Sequence, residues 1–172
     1  MNVMLSRRTM LRLSAGAATA AMIGIAGCAR QTTVLTPPHI HYGYDTCAWC
    51  GMIINDPHFA AAVAYSRNGS PHDARFDDIG CMLAWQKTHQ EKQVLRVWVK
   101  NYSTEKWMEA LKARFVQSRA IITPMASGIA AGATPGQAKL ALPQSVRAGY
   151  ETMDYSAIRH LKTGKTNNAD GK

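Results

Sequence analysis

Basic residues are plentiful in this chain but nowhere concentrated. Twenty Lys and Arg stand against eleven Asp and Glu, a formal charge of +9 over 172 residues. Yet Lys92, Arg96, Lys106, Lys112, Arg114 and Arg119 are scattered. No dense basic block with interleaved aromatics occurs, which argues against nucleic-acid binding. A contact with an acidic partner or with anionic lipid headgroups stays compatible with the balance. Long apolar runs are also missing. The stretch from Leu13 to Ala26 is broken by Gly16 and Gly24 and is too short for a comfortable membrane span. No internal sequence repeat is visible, and cysteine is sparse, with four in the chain.

What the N-terminus does contain is an address. Ser6-Arg7-Arg8-Thr9-Met10-Leu11-Arg12 carries a twin arginine ahead of the modest apolar run, like the export signal of proteins carried across a membrane already folded. Ile25-Ala26-Gly27-Cys28 resembles the bacterial lipoprotein cleavage box. The expectation is a cleaved signal over residues 1–27, Cys28 acylated and inserted into membrane lipid, and a protein on the periplasmic face of a bacterial membrane. Cleavage removes Arg7, Arg8 and Arg12 and no acid, so +9 falls to +6. Residues 28–43, with Pro37 and Pro38, read as a lipidated tether. Within it, His39-Ile40-His41 offers two imidazoles to one side if extended, although solvated linker histidines are the simpler reading.

With Cys28 lipidated, Cys47, Cys50 and Cys81 remain, an odd number for an oxidising compartment. A free thiol kept there usually has a chemical reason, such as a bound metal. Cys47-Ala48-Trp49-Cys50-Gly51-Met52 packs two thiols and a thioether into six residues. Thiolate and thioether are the ligands that favour Cu(I), whereas zinc gains little from a thioether. If 50–54 is a strand, Cys50 and Met52 face one side as a two-point clip. Cys47 is a third ligand, an exchange thiol, or half of a Cys47–Cys50 disulfide. Cys81 is an auxiliary ligand or a buried small hydrophobe, and His58 an auxiliary nitrogen donor or an exposed loop residue. Two rival readings are a CxxC thiol–disulfide oxidoreductase and a structural zinc site. The first lacks the expected helix directly after the motif, and the second has irregular spacing.

Local signals give strands at 52–54, 59–65 and 94–99 and an Asn68-Gly69 hairpin turn. They give a helix capped by Asp77 or Asp78 and a short helix capped by Ser103. Further on come strands at 115–118 and 121–125, a helix opened by Pro135, a strand near 150–153 and a short helix over 155–161. Residues 163–172 read as a disordered tail.

Four blocks together resemble the nitrous-oxide reductase accessory family called NosL, periplasmic lipoproteins that handle copper. They are Asp45-Thr46-Cys47-Ala48-Trp49-Cys50-Gly51-Met52-Ile53, Phe76-Asp77-Asp78-Ile79-Gly80-Cys81-Met82-Leu83-Ala84-Trp85, Val99-Lys100-Asn101-Tyr102-Ser103 and Thr123-Pro124-Met125. The resemblance runs from about residue 44 to about residue 142. It implies an α+β domain over 44–162 built of two small ββαβ-like lobes, about 44–102 and 103–162. It implies a non-enzymatic Cu(I) chaperone serving nitrous-oxide reductase or its assembly transporter. By position, Cys50 and Met52 match the family's metal motif, and Met125 is a further ligand from the second lobe. Ala126 stands where the family usually has glycine after Thr-Pro-Met, and residues 144–162 follow the family pattern poorly.

Overall fold

A two-residue turn at Asn68-Gly69 organises the first sheet. Both residues take positive φ, 52° and 77°, as a type I′ hairpin demands. They join β1 (Ala61–Arg67) to β2 (Ser70–Phe76) in antiparallel register, with Arg67 opposite Ser70. The protein is described by a computed structural model covering residues 35–90 and 92–160. The expected signal, Cys28 and the 163–172 tail lie outside the described residues. Among those residues no helix is long and apolar enough to cross a membrane.

The chain continues into α1 (Ile79–Thr88), β3 (Gln93–Lys100) and β4 (Trp107–Glu109), which complete a four-stranded sheet ordered β2-β1-β3-β4. β1 lies centrally, and Ala61, Ala62, Val63 and Ala64 are buried on both its faces. A second, two-stranded sheet pairs β5 (Arg114–Gln117) with β6 (Ile129–Gly132). Next come α2 (Pro135–Lys139) and α3 (Tyr155–His160). Thr134 caps α2, with Pro135 in its first turn where no amide hydrogen is needed. Met153 bridges back to Phe115 through two backbone hydrogen bonds of 2.8 Å, so the strand expected near 150–153 is reduced to one pair. The fold is α+β, and one apolar core serves both sheets. Ile54, Phe76, Ile79 and Met82 share a cluster with Phe115, Ile129, Tyr155 and Ile158. A second cluster joins Phe59 to Val116, Ile121, Ala130 and Leu142.

Several local expectations are corrected. The polar run Ser70–Phe76, left without an element by the sequence, is the edge strand β2. Ser103 caps no helix: its N–H and hydroxyl both donate to Asn101 Oδ1, at 3.0 and 2.9 Å. The chain then returns as β4 and one 3-10 turn, Ala110–Lys112. β4 pairs with β3, so the first sheet extends past residue 102. Residues 121–125 are a turn-rich loop, not a strand. The tether is docked at its end: Ile40 is buried in the core, and Leu35 packs on the outer face of the first sheet.

Close backbone approach sets α2 against β6. A Cβ on Gly132 would lie 2.3 Å from Ala138 N and 2.7 Å from Gln137 C. Gly132→Ala should therefore destabilise the fold by about 1–3 kcal/mol, read as a lower urea midpoint at unchanged m value.

Candidate metal site

The CxxC segment forms a tight loop, not the start of a strand. Cys47 N–H donates to Met52 O at 2.8 Å, Gly51 N–H to Cys47 O at 2.9 Å, and Thr46 bridges Ile53. Gly51 takes φ +73°, which an L side chain resists. That turn removes the strand alternation expected to align Cys50 with Met52. The loop is fixed to β2 from outside. Ala48 N–H donates to Arg75 O at 2.8 Å, and Arg75 Nη1 reaches Asp45 Oδ2 at 3.0 Å. The His41 N–H donates to the same carboxyl group, and these bonds hold Asp45 below the usual carboxylate range.

Helix α1 supplies the third sulfur. Asp78, the N-cap, accepts from Gly80 N–H at 2.6 Å, which sets the first turn and aims Cys81. The Sγ atoms of Cys47, Cys50 and Cys81 all lie within 4.8 Å of one another. None is in a disulfide. A metal–thiolate bond of about 2.3 Å places three trigonal sulfurs about 4.0 Å apart, so a contraction of under about 1 Å closes the set on one ion. Cys47 and Cys81 are buried, and Cys50 is half-buried.

The three thiols do not titrate alike. Hydrogen bonding from the Cys81 thiol, helped by the backbone N–H groups of Cys50, Asp77 and Trp49, holds Cys47 low, at about 5 despite its burial. Its charge and hydrogen bond push Cys81 strongly up, with burial adding to the shift. Burial, with Cys47 beside it, raises Cys50. The empty cluster thus holds one thiolate stabilised by two thiols.

Cys81 also lines a cavity of about 440 Å³, together with Trp49, Gly80, Gln117, Arg119 and Met125. Met125 stands across it on the 118–128 loop, 40% exposed. Asp78 fixes that loop too: its Oδ2 accepts from Met125 N–H at 3.1 Å, and its Oδ1 from the Ser127 hydroxyl. Thr123 Oγ1 accepts from Gly128 N–H at 3.2 Å and bonds Ser127. Met52 is 51% exposed, and its carbonyl accepts from Cys47 N–H, so it closes the loop that carries two of the thiols. His58 belongs to another cluster, its ring held by Asp56 at 2.9 Å and Glu105 at 3.3 Å. Sequence reasoning ranked Cys81 as auxiliary; its place in the first turn behind an aspartate cap was the available signal. Nothing in the sequence marked Ser127.

The family model of NosL matches residues 40–141, well over half of the chain. The chain belongs to the NosL family. The crystal structure of the copper chaperone NosL from Shewanella denitrificans superposes with a TM-score of 0.57 at 16% identity. The alignment covers 70% of this chain and 93% of that one. At that identity the likeness is one of fold. No curated protein matches the chain. Within this NosL-family fold, three soft donors converge, and one of them, Cys81, shares a cavity with the Met125 thioether.

Ala126 adopts φ +55°, the left-handed conformation for which the family's usual glycine is suited. An L residue there costs roughly 1–2 kcal/mol, and glycine carries an entropic cost of roughly 0.5–1. Ala126→Gly should therefore raise stability by up to about 1 kcal/mol, seen as a higher melting temperature. Ser127→Ala should do the reverse, costing about 1–3 kcal/mol by stripping a buried acceptor of its donor. Faster hydrogen exchange at the Met125 and Gly128 amides would accompany that loss.

Proposed function

We propose that this protein is a periplasmic, lipid-anchored Cu(I) metallochaperone that delivers copper for maturation of nitrous-oxide reductase. The convergence of Cys47, Cys50 and Cys81, the last of which lines a cavity together with Met125, carries the reading. Family membership supports it, and the relative of like fold is itself described as a copper chaperone. Copper is cargo here, so the chemistry is ligand exchange and no substrate bond is made or broken. Three thiolates suit a soft monovalent ion, and three-coordination leaves room for a fourth donor. An incoming thiol, thioether or imidazole enters from the cavity side, binds the ion and displaces Cys50, the most accessible of the three sulfurs. Met125, in the cavity wall, and the exposed Met52 serve as thioether way-stations. Acylated Cys28 keeps the carrier beside the membrane, where nitrous-oxide reductase or its assembly transporter receives the ion.

The test is anaerobic titration of the reduced chain with Cu(I) against a chromogenic chelator. One ion per chain is expected, with affinity falling at least about 10–100-fold in Cys50→Ser or Cys81→Ser. Unchanged affinity in both variants, or a preference for Zn(II), would sink the proposal. Catalytic disulfide reduction without tight metal binding would favour a redox enzyme.

The pH dependence follows from the unequal thiols. Above about 5, Cys47 is already ionised, while Cys50 and Cys81 keep their protons through neutrality. Binding by all three then releases about two protons, so the logarithm of the association constant should rise by about two per pH unit between pH 6 and 8. Below about 5, a third proton competes and the slope steepens toward about three. A pH-independent affinity would exclude the two protonated thiols from the ligand set.

A further inference from the structure

We propose that His39 and His41 form a second, surface metal site, suited to a divalent cation that prefers imidazole in tetragonal geometry, Cu(II) above all. The two residues flank Ile40, which is 5% exposed and packed in the core. Burying the middle residue of an extended triplet turns its neighbours together toward solvent. Both histidines are exposed, and their ring centroids lie 4.5 Å apart at 65°.

That spacing brings both rings within reach of one ion. A metal–nitrogen bond of about 2.0–2.1 Å puts the ion about 3.2 Å from each imidazole centroid. Two rings at a right angle then lie about 4.5 Å apart, against about 5.2 Å at the tetrahedral angle. The observed separation of 4.5 Å lets two cis ligands reach one tetragonal ion, and among divalent ions Cu(II) binds imidazole most strongly.

The pair is also held in place before any ion arrives. His41 N–H donates to Asp45 Oδ2 at 2.9 Å, and its carbonyl accepts from Tyr44 N–H at 3.1 Å and Asp45 N–H at 2.9 Å. Pro37 and Pro38 restrict the backbone that enters the site. Asp45 Oδ2 stands 3.8 Å from His41 Nδ1 and places negative charge beside the pair. Of the chain's six histidines, His58 has its ring committed to two carboxylates, and His89 lies stacked on Trp85. The His39–His41 pair is not part of the thiol group.

The decisive experiment titrates Cu(II) into the full chain with its four cysteines replaced by serine, which prevents thiol oxidation. One equivalent should bind with a tetragonal electron paramagnetic resonance signal carrying nitrogen hyperfine structure from two imidazoles. His39→Ala or His41→Ala should weaken uptake at least about tenfold, whereas His58→Gln, His72→Gln, His89→Gln and His160→Gln should not. Because the serine variant risks misfolding, Ni(II) is added in parallel to the reduced wild-type chain, followed by imidazole proton resonances. Those of His39 and His41 should broaden at the lowest Ni(II) concentration. An undiminished Cu(II) signal in the His39→Ala/His41→Ala chain would overturn the proposal, as would His39 and His41 resonances unmoved by Ni(II).

Discussion

A single buried carboxyl group, that of Asp78, joins the halves of the site. It is fully buried and accepts hydrogen bonds from Gly80 N–H, Met125 N–H and the Ser127 hydroxyl. A group so enclosed is tolerable only when its lone pairs are satisfied, and here the donors come from the first turn of α1 and from the 118–128 loop. The bond to Gly80 starts α1 and thereby places Cys81. The bonds to Met125 and Ser127 hold the 118–128 loop against the same helix end. Gly80 makes that approach possible, since a Cβ there would come within 2.4 Å of Ser127 Cβ. Thiol cluster and thioether loop are thus registered on one atom pair.

The electrostatics of the cluster suit a carrier more than a store. One low-pKa thiol beside two raised ones means that loading must expel protons and that unloading can take them back. A site of three thiolates already ionised would hold its ion against any acceptor. With two thiols of raised pKa, the thiolates of Cys50 and Cys81 take up protons from solvent as the ion departs, which favours release. The partly accessible position of Cys50 and the open cavity by Cys81 give an acceptor a way in.

How much of this was readable in advance follows from how local each determinant is. The Asn68-Gly69 turn, the Asp78 cap and Pro135 at a helix start are set by their own residues, and each was legible. The strand at Cys50–Ile54 failed because Gly51, taken as a gap in a strand, supplies a left-handed turn instead. β4 was missed because Ser103 resembles a helix cap until Asn101 is seen to engage it. β2 escaped because an exposed edge strand shows little apolar alternation. The three-thiol group was only half visible: Cys47 and Cys50 are neighbours, whereas Cys81 joins them through packing that no spacing rule reports.

From Thr46 to Ile53, Cys47 alone is buried, so the residue that anchors the loop to the core also belongs to the three-thiol group. Small metal domains commonly collapse when stripped, because their ligands have no other employment. Cys47 has one: its side chain is packed in the core, and its backbone closes the loop through Met52 O and Gly51 N–H. The loop therefore has a reason to keep its shape without an ion, so that the seat is already formed and need not be refolded around each ion that enters.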